Sequence, residues 1–220
     1  KKGVAVIKPH DNDWIDREII EKMFVQAGLD DWSFMQFNGI EIRNQLLLLM
    51  DEVSVRLKQS ATAPLVIPID QHFNVKGIGV VAIGYIQCGN LKVHDEIYIL
   101  PARDNGSTKS LQVMDDDVKM AIAGDRVGIA LRNIKDNSLS NGSIIVKPAI
   151  HDKKSNTTMP LSVIEHSTSK MRLTTSPFQK RVLAIGDVIH ISLDLQFVVG
   201  RIESFEGEDM IVKWESPIYV

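Results

Sequence analysis

The sequence lacks several residue types and patterns that define whole classes of protein. Its 220 residues include a single cysteine, Cys88, which excludes an internal disulfide and a cysteine-rich zinc site and agrees with a reducing cytoplasm. The longest apolar run, Leu46–Met50, is far shorter than the roughly 20 residues that a membrane-spanning helix needs. We therefore expect a cytoplasmic protein with no membrane partner.

Charge and catalytic motifs are equally sparse. With 25 basic and 28 acidic residues the formal net charge is −3, so no global positive field favours nucleic acid, and RNA contact would need a local surface. The six histidines have no metal-binding spacing, and no serine lies in a Gly-x-Ser-x-Gly context. The sequence thus predicts no catalytic residue, no metal site and no DNA partner.

A phosphate-binding loop of the form G-x-x-x-x-G-K-[ST] is absent from the 220 residues. The chain opens on Lys1-Lys2 rather than on Met, as a processed or trimmed piece of a longer protein would. Such a loop therefore either lies upstream of Lys1 or has been lost. No cofactor is expected in the chain as given.

The first segment, residues 1–60, alternates strand and helix patterns. Short continuous apolar runs are typical of strands that are buried on both faces, and apolar residues spaced by four are typical of amphipathic helices. This order of elements is that of a parallel α/β domain, of which 60 residues would be only the end. The predicted elements are a strand at Val4–Ile7, a helix capped by Asp13, a strand at Ser33–Phe37 and a helix from the cap Asn38 to about Val55.

The second segment, residues 61–150, begins with a small polar linker and continues as short β-branched runs between turn signals. Glycine-containing turns at regular spacing indicate an all-β barrel or sandwich. We read Gly84 and Asn105-Gly106 as turn signals among others. The predicted strands are Leu65–Phe73, Gly79–Ile86, Glu96–Leu100, Ser110–Met114, Arg126–Leu131 and Ser143–Val146.

The third segment, residues 151–220, is also strand-rich. Its predicted strands are Met159–Ile164, Val188–Leu193, Phe197–Phe205 and Met210–Trp214. The polar residues 206–209 predict a hairpin loop between the last two. The expected fold is thus multidomain, α/β and all-β: the C-terminal remnant of a parallel α/β domain followed by two antiparallel β-barrels, the second of them short.

Four ordered blocks in the second segment resemble domain 2 of elongation factor Tu and the SelB-like factors, in the translational GTPase superfamily. The family opens this domain with Pro, a hydrophobic residue and an acid, followed by Phe, Gly-x-Gly and a Val-rich strand. The four matching blocks are Pro68–Gly84, Cys88–Ile97, Ala123–Arg132 and Asn141–Ile145. Four blocks in the right order across about 80 residues are far more specific than a lone Gly-x-Gly.

The resemblance implies that the first segment is the end of a GTPase-like domain. In the family, a buried strand ends in Asn-Lys-x-Asp, whose Asp pairs with guanine. Here Lys8 matches, but Ile7 replaces the Asn and His10 replaces the Asp. We expect a degenerate nucleotide site that does not hydrolyse GTP, and GTP with Mg only if the missing motifs lie upstream.

The resemblance also implies a tRNA site, because domain 2 of elongation factor Tu holds the aminoacylated 3′ end of tRNA. An acid and the adjoining strand form one wall, and the loop before the Ala-Gly-Asp block forms another. The family's Glu in that loop is replaced here by Met120 or Ala121. The tRNA-binding residues predicted on this basis are Asp70, Gln71, Val75, Gly77, Gly79 and the two phosphate candidates Arg126 and Arg132.

Three functions stay open on the sequence alone. The first is an elongation-factor-like protein that binds tRNA or a ribosomal partner through its β-barrels, with impaired or absent GTP hydrolysis. The second is a scaffold or regulatory paralogue that has lost nucleotide and tRNA binding. The third is a fragment of an active SelB-like GTPase.

Overall fold

The computed structural model describes residues 3–8, 16–135, 137–148, 162–172 and 181–220. These residues form two compact units. The first contains the described residues up to Arg56 together with 181–182, and the second contains those from Leu57 to 172 and from Leu183 to Val220. No helix in the described part of the chain is both long and apolar enough to cross a membrane.

The first unit has a β-α-β-α order. Its elements are β1 (Gly3–Ile7), α1 (Arg17–Gln26), β2 (Trp32–Gln36) and α2 (Gly39–Ser60), the last of which continues into the second unit. The two strands are parallel, with Gly3 opposite Trp32 and Ile7 opposite Gln36. The carboxyl ends of both strands therefore lie at one edge of the sheet.

Side-chain caps fix where both helices begin. The Asp16 carboxylate accepts hydrogen bonds from the amides of Glu18 and Ile19 at 2.9 and 3.3 Å, so α1 is capped by Asp16. The predicted cap Asp13 was wrong, because the helix begins at Arg17, and Asp13 lies outside the described residues. The predicted cap Asn38 is confirmed, since its Oδ1 accepts from the amides of Ile40 and Glu41 at 3.2 and 3.5 Å.

The second unit begins with an antiparallel β-barrel. Six strands close in the order β10-β4-β3-β11-β6-β7, with β10 pairing back onto β7, and β8 extends the sheet beside β7. A separate ladder joins β5 and β9. The strands are β3 (Val66–Val75), β4 (Gly79–Tyr85), β5 (Asn90–Lys92), β6 (Glu96–Leu100), β7 (Asp104–Val113), β8 (Asp116–Val118), β9 (Met120–Ile122), β10 (Arg126–Arg132) and β11 (Ile144–Val146).

Alternating apolar residues of these strands fill the barrel. Their side chains form one cluster because every second residue of a strand faces the same side. Leu57 of α2 packs against this cluster. The fully buried members of the cluster include Ile67, Ile69, Leu91, Ile97, Ile99, Ile129 and Ile145.

Two glycines that we read as turn signals lie inside strands, so that interpretation was wrong. A Cβ at Gly84 would approach Pro68 O to 2.3 Å, and one at Gly106 would approach Ile134 Cγ2 to 2.3 Å. Close packing of neighbouring chain, and not a turn, requires glycine at these positions. By contrast, Gly77 and Gly79 adopt φ of 83° and 101° and flank the β3–β4 turn.

The described strands of the third segment form a four-stranded antiparallel sheet in the order β12-β15-β14-β13. They are β12 (Glu165–Arg172), β13 (Val188–Leu193), β14 (Gln196–Glu206) and β15 (Asp209–Tyr219). The predicted strand Met159–Ile164 was wrong over its described residues 162–164, and residues 159–161 lie outside the described part. The strand begins at Glu165 instead, in a polar stretch whose sequence gives no apolar alternation.

The barrel and this sheet share a buried joint. Tyr98 and Leu100 of β6 pack with Val163 and Tyr219 in one apolar cluster. The Tyr219 hydroxyl donates to Glu165 Oε2 at 3.2 Å, and Arg103 of the barrel forms an ion pair with the same carboxylate. Burial, as the first cause, raises the pKa of Tyr98 and of Tyr219.

Candidate functional site

A groove of the second unit lies on one face of the barrel. Its volume is about 710 Å³, and its walls come from the β3–β4 hairpin, the β7–β8 hairpin and the start of β10. The lining residues are Phe73, Val75, Ile78, Val81, Ile83, Gln112, Val113, Met114, Asp115, Gly124, Asp125, Arg126, Val127 and Gly128.

The apolar wall follows from the register of β3 and β4. Phe73 lies opposite Val81, and Val75 lies opposite Gly79, so these side chains share one face of the hairpin. The ring of Phe73 is 44% exposed and Ile78 is 45% exposed, which leaves a large apolar surface open to a ligand. Apolar and aromatic surface of this kind can pack against a nucleobase of any sequence.

A positively charged side chain, that of Arg126, lies at one end of the groove. Arg126 lies opposite Tyr85 in the β10–β4 ladder, and its guanidinium carbon is 5.7 Å from the centre of the Tyr85 ring. Its Nη2 lies 3.5 Å from Asp70 Oδ2. Both charged groups are substantially exposed, so the ion pair contributes only about 0–1 kcal/mol to stability and chiefly restricts where the guanidinium lies.

A β-bulge places Asp70 in this cluster. Ile69 lies opposite Gly84 and Gln71 opposite Ile83, so Asp70 is the extra residue on β3. A bulge re-aims a side chain that regular alternation would direct elsewhere. The acid that the family resemblance singled out therefore lies beside Arg126, while Gln71 is exposed on the same strand.

The turn that precedes β10 lines the groove next to the Arg126 guanidinium. The Asp125 carboxylate accepts a hydrogen bond from the amide of Ile122 at 2.8 Å, which fixes the conformation of the turn. Gly124 has a φ of 98°, and a Cβ there would lie 2.6 Å from Leu57 Cδ1. Both its conformation and its packing therefore require glycine.

The opposite lip of the groove is the β7–β8 hairpin, and sequence reasoning missed it. Gln112 Nε2 donates a hydrogen bond to Asp117 Oδ1 at 2.9 Å, which orients the side-chain amide of Gln112. This contact does not use the carbonyl oxygen of that amide. The turn residues Met114 and Asp115 both have positive φ, 51° and 68°. No Gly or Asn marks this turn, and the strand that follows it begins with Asp116-Asp117, so the sequence carries no local signal for this hairpin.

The structure separates the predicted tRNA-binding residues. Val75 and Arg126 line the groove, and Asp70 contacts Arg126. Arg132 lies opposite Ser107 at the far end of β10, about 20 Å from Arg126 at about 3.3 Å per residue, so the two arginines do not form one phosphate site. Gly77 and Gly79 shape the hairpin turn next to Ile78. The binding role of these residues stays a prediction.

Met120 and Ala121 do not line the groove. Both belong to β9, where they pair with Lys92 and Leu91 of β5, and Ala121 is fully buried. The replacement of the family's Glu in this stretch therefore does not alter the groove wall. The polar residue that the groove does present on the β7 side is Gln112.

In the first unit, two of the predicted nucleotide residues, Ile7 and Lys8, lie at the carboxyl end of β1. Ile7 ends β1, and the Lys8 ammonium lies 4.9 Å from the centre of the Phe37 ring, which follows β2. His10 lies outside the described residues. Within the described part of the chain, no cluster of three or more His, Cys, Asp or Glu side chains could hold a metal ion.

Comparison with known proteins identifies the class of the barrel. Residues 79–146 match the family model of elongation factor Tu domain 2. Together with the closed six-stranded barrel, this match shows that the module is a β-barrel of the elongation factor Tu domain 2 type.

The chain as a whole is similar to longer proteins. It is 33% identical over 178 residues to the selenocysteine-specific elongation factor of Methanocaldococcus jannaschii, covering 81% of this chain and 35% of that protein. It is 25% identical over 186 residues to an uncharacterized protein of the same organism, covering 84% of this chain and 54% of that one. The chain thus spans about half or less of the length of these relatives.

A solved structure extends the likeness to the fold. The apo form of translation elongation factor SelB from Methanococcus maripaludis superimposes with a TM-score of 0.74 over 100% of this chain and 52% of that one, at 19% identity. At that identity the likeness shows the fold alone. The described fold is therefore mostly β and built around a barrel of the translation-factor type.

Proposed function

We propose that the chain is a cytoplasmic, translation elongation factor-like protein that binds tRNA or a ribosomal partner through its β-barrels. The observation that carries the proposal is the groove of the domain 2 barrel, which combines an open apolar wall with a restrained arginine. Unpaired RNA is recognised by stacking on apolar or aromatic side chains together with cation contacts to phosphate.

In this proposal the groove receives the unpaired 3′ end of tRNA. A nucleobase packs on Phe73 and Val75, and the Arg126 guanidinium contacts a phosphate. The Asp70 carboxylate, beside Arg126, accepts a hydrogen bond from a ribose hydroxyl or an amino group. Gln71 borders the same wall, Gly77 and Gly79 allow close backbone approach, and Arg132 contacts RNA outside the groove.

We further propose that the first unit, within residues 1–60, is the C-terminal remnant of a GTPase-like α/β domain. Its support is the parallel β1–β2 pair with helices after each strand. The site at the strand ends is degenerate, because Ile7 and His10 stand where guanine recognition needs Asn and Asp. Lys8 is engaged with Phe37, and the exposed Phe37 ring lies beside the site.

The proposal predicts that the chain binds GTP weakly or not at all and does not hydrolyse it. Isothermal titration of the chain with GTP and Mg²⁺ measures this directly. Micromolar binding would contradict the reading of Ile7 and His10 as a lost site.

The third segment, residues 151–220, is proposed to be a short, domain 3-like barrel that contacts the stem of tRNA. Its support is the four-stranded antiparallel sheet that shares a buried joint with the domain 2 barrel. The division of the chain at about residues 60 and 150 belongs to the same proposal.

Mobility-shift binding of charged and uncharged tRNA at low and moderate salt tests the main proposal. Because RNA contact neutralises phosphates, we expect affinity to fall steeply between about 50 and 200 mM salt. The proposal would be refuted if the chain bound tRNA as weakly as it binds a generic acidic polymer and if this binding did not change with salt.

A second candidate is a scaffold or regulatory paralogue that no longer binds tRNA. The acidic lip of the groove favours it, since Asp115, Asp116 and Asp117 would repel a phosphate backbone. In that case no tRNA binding would be seen while the chain remained folded.

A further inference from the structure

The β7–β8 hairpin turns through two residues in a conformation that their side chains disfavour. Val113 lies opposite Asp116, which leaves Met114 and Asp115 as a two-residue loop with φ of 51° and 68°. Tight hairpin loops of this kind require positive φ at both positions, and Asn and Gly normally supply it. A Met-Asp loop therefore stores backbone strain at the lip of the groove.

A second hairpin of the chain shows how such strain is normally compensated. Asp194 and Leu195 form the β13–β14 loop with φ of 45° and 68°, closed by Leu193 opposite Gln196. There the Asp194 carboxylate accepts a hydrogen bond from Gln87 Nε2 at 3.1 Å. That loop is thus tied to the barrel by a specific contact.

Within the described part of the chain, the Met114-Asp115 loop makes no comparable contact. The side chain of Met114 is 90% exposed. Among the described residues, no hydrogen bond or ion pair involves the Asp115 side chain. The strained loop therefore places a long apolar side chain over the groove without any gain in packing.

We propose that Met114 is a contact residue that folds over the nucleobase occupying the groove and so determines affinity for an unpaired 3′ end. A thioether on three rotatable bonds adapts to different aromatic rings and contacts them favourably. Phe73 and Ile78 line the same groove, so a base there is held between the apolar wall and Met114. This inference rests on the proposed function, because it takes RNA as the occupant.

The test uses the full chain with four proteins: wild type, Met114→Gly, Met114→Leu and Leu195→Gly. Fluorescence anisotropy measures the Kd of each for intact tRNA and for tRNA trimmed of its unpaired 3′ nucleotides. Glycine removes the side chain of Met114 and relieves the left-handed strain, so Met114→Gly melts at the same or a slightly higher temperature than wild type. Leu195→Gly is the matched control, since it makes the same change in the other strained hairpin.

We expect Met114→Gly to bind intact tRNA about two- to tenfold more weakly, although its fold is no less stable. We expect it to bind trimmed tRNA as wild type does, because the contact is already gone. Met114→Leu keeps an apolar side chain and stays within about twofold of wild type on intact tRNA, and Leu195→Gly leaves both Kd values unchanged.

Two results would overturn the inference alone. Wild type could discriminate between intact and trimmed tRNA while Met114→Gly retains wild-type affinity, or Met114→Gly could weaken both RNAs equally. If wild type binds intact and trimmed tRNA alike, or binds neither, the groove is not a 3′-end site and the proposed function fails together with the inference.

Discussion

At the scale of single residues, Gly106 shows how one pattern can carry two meanings. Asn105-Gly106 is a strong turn signal in sequence, yet both residues lie within β7. A Cβ at Gly106 would lie 2.9 Å from Arg132 O and closer still to Ile134. The glycine is there because the chain that follows β10 passes close to it, a long-range contact that no local pattern reveals.

Asp104 provides a pH-dependent prediction at this scale. The Ser138 hydroxyl, first, and the amides of Lys135 and Asn105 donate hydrogen bonds to its carboxylate and lower the pKa of Asp104, against a smaller opposing effect of burial. A lowered folded-state pKa means that the stabilisation is present above the ordinary value of 3.8 and is lost as the pH falls through the folded-state pKa. We expect Asp104→Asn to lower the free energy of unfolding by about 1 kcal/mol at pH 7.

Urea unfolding at pH 7 and at pH 2.5 checks this prediction. The difference between Asp104→Asn and wild type shrinks at the lower pH, because pH 2.5 lies below the ordinary pKa of 3.8 and protonation of the unfolded chain then offsets the stabilisation. The exposed Asp116→Asn serves as a control and changes stability little at either pH. If the difference in free energy of unfolding between Asp104→Asn and wild type is the same at both pH values, the charge of the Asp104 carboxylate does not stabilise the loop.

At the scale of elements, the starts of helices are defined by one side chain. Asn38 caps α2 through two amide hydrogen bonds. Replacing it with Ala is expected to cost about 1 kcal/mol. Hydrogen exchange of the first-turn amides measures the loss, and Asn44→Ala inside α2 serves as a control that should not accelerate them.

The result of that exchange experiment bears on how helix ends are read from sequence. If the first-turn amides exchange at the same rate in Asn38→Ala and in Asn44→Ala, the cap does not stabilise the start of α2. The Asn38 cap was predictable because side chain and amides are neighbours in sequence. The end of α2 was not predictable from neighbouring residues. The helix continues past Val55 to Ser60, where Leu57 packs against the core of the barrel, and this contact is not local in sequence.

The strands divide in the same way. Apolar strands such as β6 were predictable from residue type, whereas β5, β8 and β9 have three residues each and no pattern to mark them. The groove was predictable on its β3–β4 side and at the start of β10, where the family motifs lie. The opposite lip of the groove depends on the Met114-Asp115 turn and on the pairing of β10 with β7. No local sequence pattern indicates either feature.

At the scale of the whole molecule, the second unit behaves as one cooperative body in this account. Tyr219 of the third-segment sheet packs against Tyr98 and Leu100 of the barrel. We expect Tyr219→Ala to destabilise the unit by about 3–5 kcal/mol, since it removes a buried aromatic ring. Hydrogen exchange should accelerate in β6 and β11 of the barrel as well as in β14 and β15.

Tyr219→Phe is the matched variant for this prediction. It keeps the ring and removes only the hydroxyl bond to Glu165, so we expect a loss of about 1 kcal/mol. Faster exchange confined to β12–β15 after Tyr219→Ala would mean that barrel and sheet unfold independently.

A charge placed in the groove tests the proposal that the domain 2 barrel of this chain binds the end of tRNA. Val75→Glu puts a carboxylate on the apolar wall, and Val188→Glu puts the same charge on the exposed face of β13. With both variants folded by thermal melting, the account predicts that Val75→Glu raises the Kd for tRNA about tenfold or more and that Val188→Glu stays within about twofold of wild type. Equal affinities for wild type and Val75→Glu, or an equal loss in both variants, would contradict it.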